Sequence, residues 1–183
     1  MQYEVINPEV ENALRNNVPV VALESTIITH GMPYPENIKM VNEVEALIRQ
    51  NNAIPATIAI LEGVIKIGLT SYEVKKLSEK KGVKKLSRAD LSAALTNGDT
   101  GATTVSATMI LAANANIKVF ATGGVGGVHI GAENTFDISA DLQELSQTPV
   151  IVISAGPKAI LDLPKTLEVL ETLGVPVVTF GQD

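Results

Sequence analysis

Short apolar segments alternate with helical segments along this chain, and that alternation constrains the fold more than any other feature. Apolar runs typical of buried strands occupy residues 18–23, 56–61, 119–122, 149–153 and 175–180. Between them, apolar residues recur with helical spacing or follow helix-start signals. Strands that alternate with helices favour a mostly parallel sheet covered on both faces. We therefore predict a three-layer α/β/α fold, formed as one domain by residues 1–183.

Local signals place several element boundaries. Three helix starts are predicted from their capping residues, namely Asn7 with Pro8, Thr70 with Glu73, and Ser87 with Asp90. Glu62 and Gly63 predict a turn that pairs the strand before it with residues 64–67. The small residues at 101–113 predict a further helix.

Composition excludes several classes of protein. The chain has 45% apolar residues, enough for a core, but its apolar runs are too short to span a bilayer. A net charge of −6 with no Trp argues against nucleic-acid binding. An anionic small-molecule substrate is compatible with this charge only through a local cluster of cations or backbone amides. The absence of Cys excludes disulfides and thiolate catalysis. The N-terminus has no features of a signal peptide, so we expect a cytoplasmic protein with no membrane partner.

Lys158 is the most informative single residue. It follows the predicted strand at 149–153 and a Gly-Pro turn, where we expect a helix to begin. Burial and the positive end of a helix would both lower its pKa, because both disfavour the charged form. An uncharged amine at that place can attack a sugar carbonyl. The alternative is an ordinary solvated lysine at a helix start.

Two segments near the middle of the chain carry possible binding groups. Residues 121–129 form a glycine-rich loop that ends at His129, and its backbone N–H groups are expected to converge on a phosphate. A tight loop packed on a neighbour is the alternative. Asp137 and Asp141 flank Ser139, and their oxygens suit Mg²⁺ or Mn²⁺ if both turn to one cation. Acids that complement a helix dipole are the alternative.

Two further sites are predicted from charge. Residues 84–88 form the densest basic cluster, at a capped helix start, and cations beside free helix N–H groups can bind a phosphate. A solvated basic turn is the alternative. Glu24 ends an apolar strand. It is either a structural acceptor held by nearby hydroxyls or a proton donor with a raised pKa.

Taken together, these segments resemble the pseudouridine-5'-phosphate glycosidases, also called the indigoidine synthase A-like family. The matching motifs lie at residues 22–37, 85–88, 101–109, 121–129, 135–142 and 154–158, in the family's order. The resemblance implies an α/β/α fold, a homotrimer, and dependence on Mn²⁺, with Mg²⁺ as an alternative. It also implies reversible cleavage of the C–C glycosidic bond of pseudouridine 5'-phosphate to uracil and ribose 5-phosphate.

The resemblance assigns roles by position. Lys158 is expected to form an imine with the sugar, Glu24 to donate a proton, and Asp137 to bind the metal. The expected substrate-binding positions are Lys85, Val105, His129, Ser139, Ala140 and Asp141. A C–C glycosidic bond has no leaving oxygen that an acid could protonate, so the usual mechanism with two carboxylates fits poorly. An imine between the lysine and the sugar fits better, because its iminium form accepts electrons.

The family continues beyond the segment that matches residues 175–180, so we expect a truncated member that lacks part of the site. Two alternatives to an active glycosidase follow. The chain is a non-catalytic remnant that binds sugar phosphates or assembles, or it is another Schiff-base sugar-phosphate lyase.

Overall fold

The fold is described here from a computed structural model, over residues 3–181; the chain end at 182–183, where the expected truncation falls, lies outside this range. The strands are β1 (Glu4–Ile6), β2 (Val20–Leu23), β3 (Ile54–Leu61), β4 (Val64–Ile67), β5 (Lys84–Leu86), β6 (Gly101–Thr103), β7 (Val119–Thr122) and β8 (Ile151–Ser154). The helices are α1 (Pro8–Arg15), α2 (Glu36–Gln50), α3 (Ser71–Glu79), α4 (Leu91–Asn97), α5 (Val105–Asn114), α6 (Ala132–Thr135), α7 (Ala140–Gln147) and α8 (Leu163–Thr172). None of these helices is both long and apolar enough to cross a membrane.

The strands form one mixed sheet in the order β1-β4-β3-β2-β7-β8, with β6 beside β3 and β5 beside β6. β2, β7 and β8 run parallel to one another, and β2 also runs parallel to β3. Only the pairs β3–β4 and β3–β6 are antiparallel within the described residues. The predicted mostly parallel sheet is therefore confirmed, with an antiparallel flank that the alternation of strands and helices did not indicate.

Strand register divides the core between the two faces of the sheet. Ala22 lies between Ala56 and Phe120, and these three side chains belong to the larger apolar cluster, which α1 and α5 cover. The next position along the strands faces the opposite way, because side chains alternate across a sheet. That second face packs against α2 and α3 through a smaller cluster that includes Val41 and Ala59. Helices thus cover both faces, as predicted.

The predicted helix caps and the turn after β3 are confirmed. Asn7 caps α1 by accepting the Glu9 N–H at 2.9 Å. Thr70 and Glu73 form a reciprocal capping box at α3, and Ser87 with Asp90 caps the turn that leads into α4. The turn between β3 and β4 has two successive residues in the left-handed region, with φ of 52° and 74°. This geometry matches the twist of a tight hairpin.

The predicted helix at 101–113 is wrong at its start. Gly101–Thr103 is strand β6, which pairs with β3 and β5, and the helix begins only at Val105. Thr104 makes the break, because its side chain accepts a helix N–H and fixes the N-cap there. Small residues are compatible with a helix or a strand. Pairing with β3 and β5 selects the strand for residues 101–103.

The two predicted core strands near the C-terminus are also corrected. β8 forms, but at the sheet edge, and its Ile151 and Ile153 are 66% and 58% exposed. Register places Ile153 beside Ala121, on the face that α2 covers further along the sheet. Residues 175–180 form no strand. Within the described chain, no strand lies on the outer side of β8, and none lies beside residues 175–180. A segment with no neighbouring strand lacks the hydrogen bonds that define a strand.

Candidate active site

Glu24 stands directly after β2 and is 9% exposed. It accepts hydrogen bonds from the hydroxyls of Thr26 and Thr122, the latter at the end of the neighbouring strand β7. A buried carboxylate is costly unless its oxygens are hydrogen-bonded, and the two threonines supply those bonds. The expected environment of hydroxyl groups is therefore present, while the role of Glu24 as proton donor stays a prediction.

A cavity of about 370 Å³ opens beside Glu24, between α2 and the sheet. Its volume lies in the range of about 300–1,000 Å³ that is typical of small-molecule sites. The lining residues are Leu23, Glu24, Ile27, Met40, Val41, Val44, Thr57, Ala121, Thr122 and Gly123. Sequence reasoning missed Met40, Val44 and Thr57 as cavity residues, because an apolar stripe on a helix and a threonine within a strand both indicate core packing.

Lys158 lies in a turn after β8, and its residue is exposed. The predicted helix start and burial at this position are both wrong. The Lys158 N–H donates to the Val125 carbonyl at 3.2 Å, which ties the segment to the glycine loop, and α8 begins only at Leu163. Asp162 sets that later start, because its side chain caps the helix.

The glycine loop packs against the protein with little room. A Cβ on Gly126 would lie 2.6 Å from the Ser139 Cβ, and one on Gly127 would lie 2.8 Å from the Thr166 Cγ2. Backbone N–H groups here already have acceptors: Gly126 donates to Asp141 at 2.9 Å and Val128 donates to Thr166 at 3.0 Å. At these positions the loop is therefore packed against its neighbours, which was the alternative interpretation. The Gly126 and Val128 N–H groups are not free to bind a phosphate, as had been predicted for the loop.

Asp141 joins two site segments. It is 6% exposed, and its two oxygens accept the N–H groups of Ser106 and Gly126, each at 2.9 Å. Ser139 caps α7 by accepting the Asp141 N–H at 3.2 Å, and Ala140 is the first residue of that helix. Asp141 therefore connects the start of α5 to the glycine loop.

Asp137 lies apart from Asp141, in the loop before α7, with its side chain 65% exposed. The two carboxylates neither share a helix face nor turn to one cation, because backbone groups engage Asp141. His129 donates its backbone N–H to the Asp137 carbonyl, and its Nδ1 lies 3.8 Å from Asp137 Oδ2. Over residues 3–181 no group of three or more His, Asp or Glu side chains could hold a metal ion.

The basic cluster separates in the structure. Lys84 pairs with Asp99 at 2.6 Å, and Arg88 pairs at 2.5 Å with the buried Glu144 of α7. Lys85 is exposed on β5, in register with Ala102, and so faces the side of the sheet that holds the cavity. Lys85 is therefore the cation of this cluster that is left to face a ligand on that side.

Val105 is the first residue of α5, and its side chain is buried in the larger apolar cluster. The Val105 side chain is therefore not available to a ligand. The start of α5 is also the point that Asp141 ties to the glycine loop.

A short backbone segment connects the amine and the acid. Thr122 bonds to Glu24, and Gly124 approaches Lys158 so closely that its Cβ would lie 3.3 Å from the Lys158 Cγ. Residues 122–124 continue β7, between the ends of β2 and β8. Carboxyl ends of parallel strands are where open α/β sheets bind small molecules. Fold and site thus define an α/β protein with an amine and a carboxyl group gathered at such an edge.

The chain belongs to the indigoidine synthase A-like family, whose sequence model matches residues 9–183. It is 66% identical over 177 residues to a pseudouridine-5'-phosphate glycosidase from Jannaschia sp. strain CCS1, covering 97% of this chain and 59% of the relative. This confirms the resemblance inferred from the ordered motifs.

Two solved structures share the fold. The prealnumycin C-glycosynthase AlnA, in complex with ribulose 5-phosphate, aligns with a TM-score of 0.89 and 41% identity, over 96% of this chain and 57% of its own. An indigoidine synthase A-like protein from Thermotoga maritima aligns with a TM-score of 0.86 and 34% identity, over 96% and 56%. The chain thus spans about three fifths of the length of the curated relatives it matches.

Proposed function

We propose that this chain carries the catalytic lysine and acid of a pseudouridine-5'-phosphate glycosidase. The observation that carries the proposal is the placement of Lys158 and Glu24 on either side of residues 122–124. Relatives at up to 66% identity bear that enzyme name, and the structural neighbour AlnA, a C-glycosynthase, holds a pentulose phosphate. The substrates are pseudouridine 5'-phosphate in one direction, and uracil with ribose 5-phosphate in the other.

In the cleavage direction, the ribose ring opens first: the bond between C1 and the ring oxygen breaks, and that oxygen keeps the electron pair and takes up a proton. Lys158 Nζ then bonds to the electron-poor C1 and loses a proton. As the C–C bond breaks, its electron pair stays with the uracil carbon, which takes up a proton, and the sugar remains as an imine on the lysine. Water then releases ribose 5-phosphate and restores the amine. An imine holds the electron-poor carbon covalently and divides one difficult step into easier ones. The exposed turn at Lys158 leaves the amine accessible to a sugar.

Glu24 is proposed to move the proton. Two hydroxyls fix the orientation of its carboxyl group. A carboxyl group has about four acceptor positions, so two bonds leave room for a third partner from the substrate. A general acid must lie within hydrogen-bond reach of the atom it protonates, and the cavity beside Glu24 offers a place for that atom.

The charged end of the substrate is proposed to lie over the starts of α5 and α7. The proposed contacts are the amine of Lys85, the backbone of Val105, and His129, Ser139, Ala140 and Asp141. Asp141 is proposed to act there by fixing the start of α5 against the glycine loop, since its carboxylate accepts two N–H groups and its own N–H donates to Ser139. This arrangement uses remote binding energy to orient the reacting carbon.

Asp137 is proposed to hold Mn²⁺, or Mg²⁺ in its place. Its exposed carboxylate offers hard oxygen ligands, and such cations are often bound by one or two carboxylates together with substrate phosphate and water. The bound ion would supply positive charge that steadies anionic oxygens of the substrate. We further propose that the protein works as a homotrimer in the cytoplasm, as the family resemblance implies.

Borohydride trapping tests the function. The chain is incubated with ribose 5-phosphate and Mn²⁺, reduced, digested and mapped by mass spectrometry. We expect a reduced sugar adduct on Lys158 and none in Lys158→Arg. Lys165→Arg is the matched control, because Lys165 is committed to Glu133 and Asp162 at 2.8 and 3.0 Å. A folded sample with no adduct on Lys158 would refute the proposal.

A further inference from the structure

Glu144 is a buried charge without a part in the proposed chemistry. It lies on α7 and is 1% exposed, and its two oxygens accept hydrogen bonds from Arg88, Gln147 and Thr148. The Arg88 guanidinium donates at 2.5 Å and is the cation paired with Glu144 in the part of the chain that the structure describes. A buried carboxylate is costly without such a partner, because the interior solvates charge poorly. The Arg88 side chain is therefore held in place by this pair.

The pair joins two segments that lie 56 residues apart in the sequence. Arg88 begins the turn that follows β5, three residues after Lys85. Glu144 lies about one helical turn beyond Ala140, the first residue of α7. Within the described chain β5 pairs only with β6, so the hydrogen bonds of the sheet do not fix β5 against α7. The pair of side chains supplies that connection.

A second set of contacts converges on the same place. The hydroxyl oxygens of Ser87 and Ser106 lie 3.1 Å apart, and the buried Ser106 donates its backbone N–H to Asp141 at 2.9 Å. The end of β5, the start of α5 and the start of α7 are thus joined to one another. The proposed contacts to the charged end of the substrate on these three segments include Lys85, Val105, Ser139 and Ala140.

We propose that Arg88 is a positioning residue for the sugar phosphate, and that it acts through Glu144 to keep the Lys85 amine near the starts of α5 and α7. The inference rests on the proposed function, which places the charged end of the substrate there. Lys85 is exposed on an edge strand, and its flexible side chain carries a point charge that attracts an anion only at short range in water. Without the pair, β5 can move away from α7, and the attraction between Lys85 and the phosphate weakens with distance.

A double-mutant cycle tests this role, with binding of ribose 5-phosphate to the 183-residue chain measured by ligand-observed NMR titration. We expect Lys85→Ala and Arg88→Ala each to weaken binding about tenfold, equivalent to about 1.4 kcal/mol. Because Arg88 acts by placing Lys85, the double variant should bind about tenfold to twentyfold more weakly, whereas two independent losses would multiply to about a hundredfold. Arg15→Ala is the matched control and should not change the affinity, because Arg15 forms an exposed pair with Glu11 within α1.

The carboxylate of the pair is tested in the same assay. Glu144→Gln removes the charge that holds Arg88, so it should weaken binding of ribose 5-phosphate about as much as Arg88→Ala does. A direct contact between Arg88 and the phosphate would survive that change. Arg88→Lys keeps a cation for Glu144 and should lose less affinity than Arg88→Ala, and it replaces Arg88→Ala in the cycle if the alanine variant does not fold.

Three results would each overturn the role of Arg88. They are independent effects of the Lys85 and Arg88 substitutions, unchanged affinity in Arg88→Ala or Glu144→Gln with native circular dichroism, and no saturable binding of ribose 5-phosphate. Borohydride trapping of the unaltered chain reports on the proposed function separately. A chain in which Lys85 and Arg88 are coupled in binding ribose 5-phosphate, but which traps no sugar, would keep the positioning role and refute the glycosidase.

Discussion

The double hydrogen bond of Asp141 leads to a quantitative prediction. Its carboxylate accepts two buried backbone N–H groups, from Ser106 and Gly126, and the side chain is almost fully inaccessible to water. Asp141→Ala leaves both donors without a partner. Each hydrogen bond to a charged group contributes about 1.5–3 kcal/mol, so the free energy of unfolding should fall by about 3–6 kcal/mol. That is a large part of the about 5–15 kcal/mol that stabilises a typical domain.

Urea unfolding followed by circular dichroism measures this loss. Asp141→Asn keeps one acceptor but turns an N–H₂ group toward the second donor, so we expect an intermediate loss of about 2–4 kcal/mol. Asp137→Ala is the matched control, because that exposed carboxylate should change stability by less than about 0.5 kcal/mol. A loss below about 1 kcal/mol in Asp141→Ala would show that the two N–H groups find other partners, and would refute the reasoning.

Two further predictions concern packing and pH. Gly126→Ala places a Cβ only 2.6 Å from the side chain that caps α7 and should destabilise by about 1–3 kcal/mol, whereas Gly123→Ala, with its nearest atom at 3.8 Å, should be neutral in the same urea assay. Equal losses would contradict this. Burial raises the pKa of Glu73, but hydrogen bonds from Thr70 and the nearby Lys66 lower that pKa by more than burial raises it. The folded pKa therefore lies below the ordinary value. The stabilisation is therefore present above about pH 4.5 and is lost as the pH falls through the folded pKa, and Glu73→Gln should show less acid destabilisation than the unaltered chain. Parallel pH profiles of the two proteins would contradict that assignment.

Features set by neighbours in the chain could be predicted from the sequence. The capping box of Thr70 and Glu73, and the turn at Glu62 and Gly63, depend on contacts within a few residues, and both are confirmed. Long-range pairing could not be predicted in the same way. Residues 101–103 join the sheet because β3 and β5 lie on either side of them, which no local pattern shows.

The same contrast between local and long-range contacts applies to the candidate site. Hydroxyl partners for Glu24 were expected among nearby residues, and Thr26 is one of them. The bond from Thr122, which is 98 residues away, was not predicted. The exposure of Lys158 was not predicted either, because burial depends on which segments pack beside a turn rather than on the turn itself. Met40 and Thr57 also escaped prediction as cavity residues. Both have the pattern of ordinary core positions, and only the space between α2 and β3 gives them a second role.

The bond between Thr122 and Glu24 has a consequence for how the protein matures. It joins residues 98 positions apart, whereas the β3–β4 hairpin closes over two residues. Contacts between distant parts of a chain form late in folding, since closing a long loop costs more entropy. During synthesis the acid emerges from the ribosome well before its threonine and the lysine. Glu24 and Lys158 are therefore brought to the same edge of the sheet only once most of the sheet is in place.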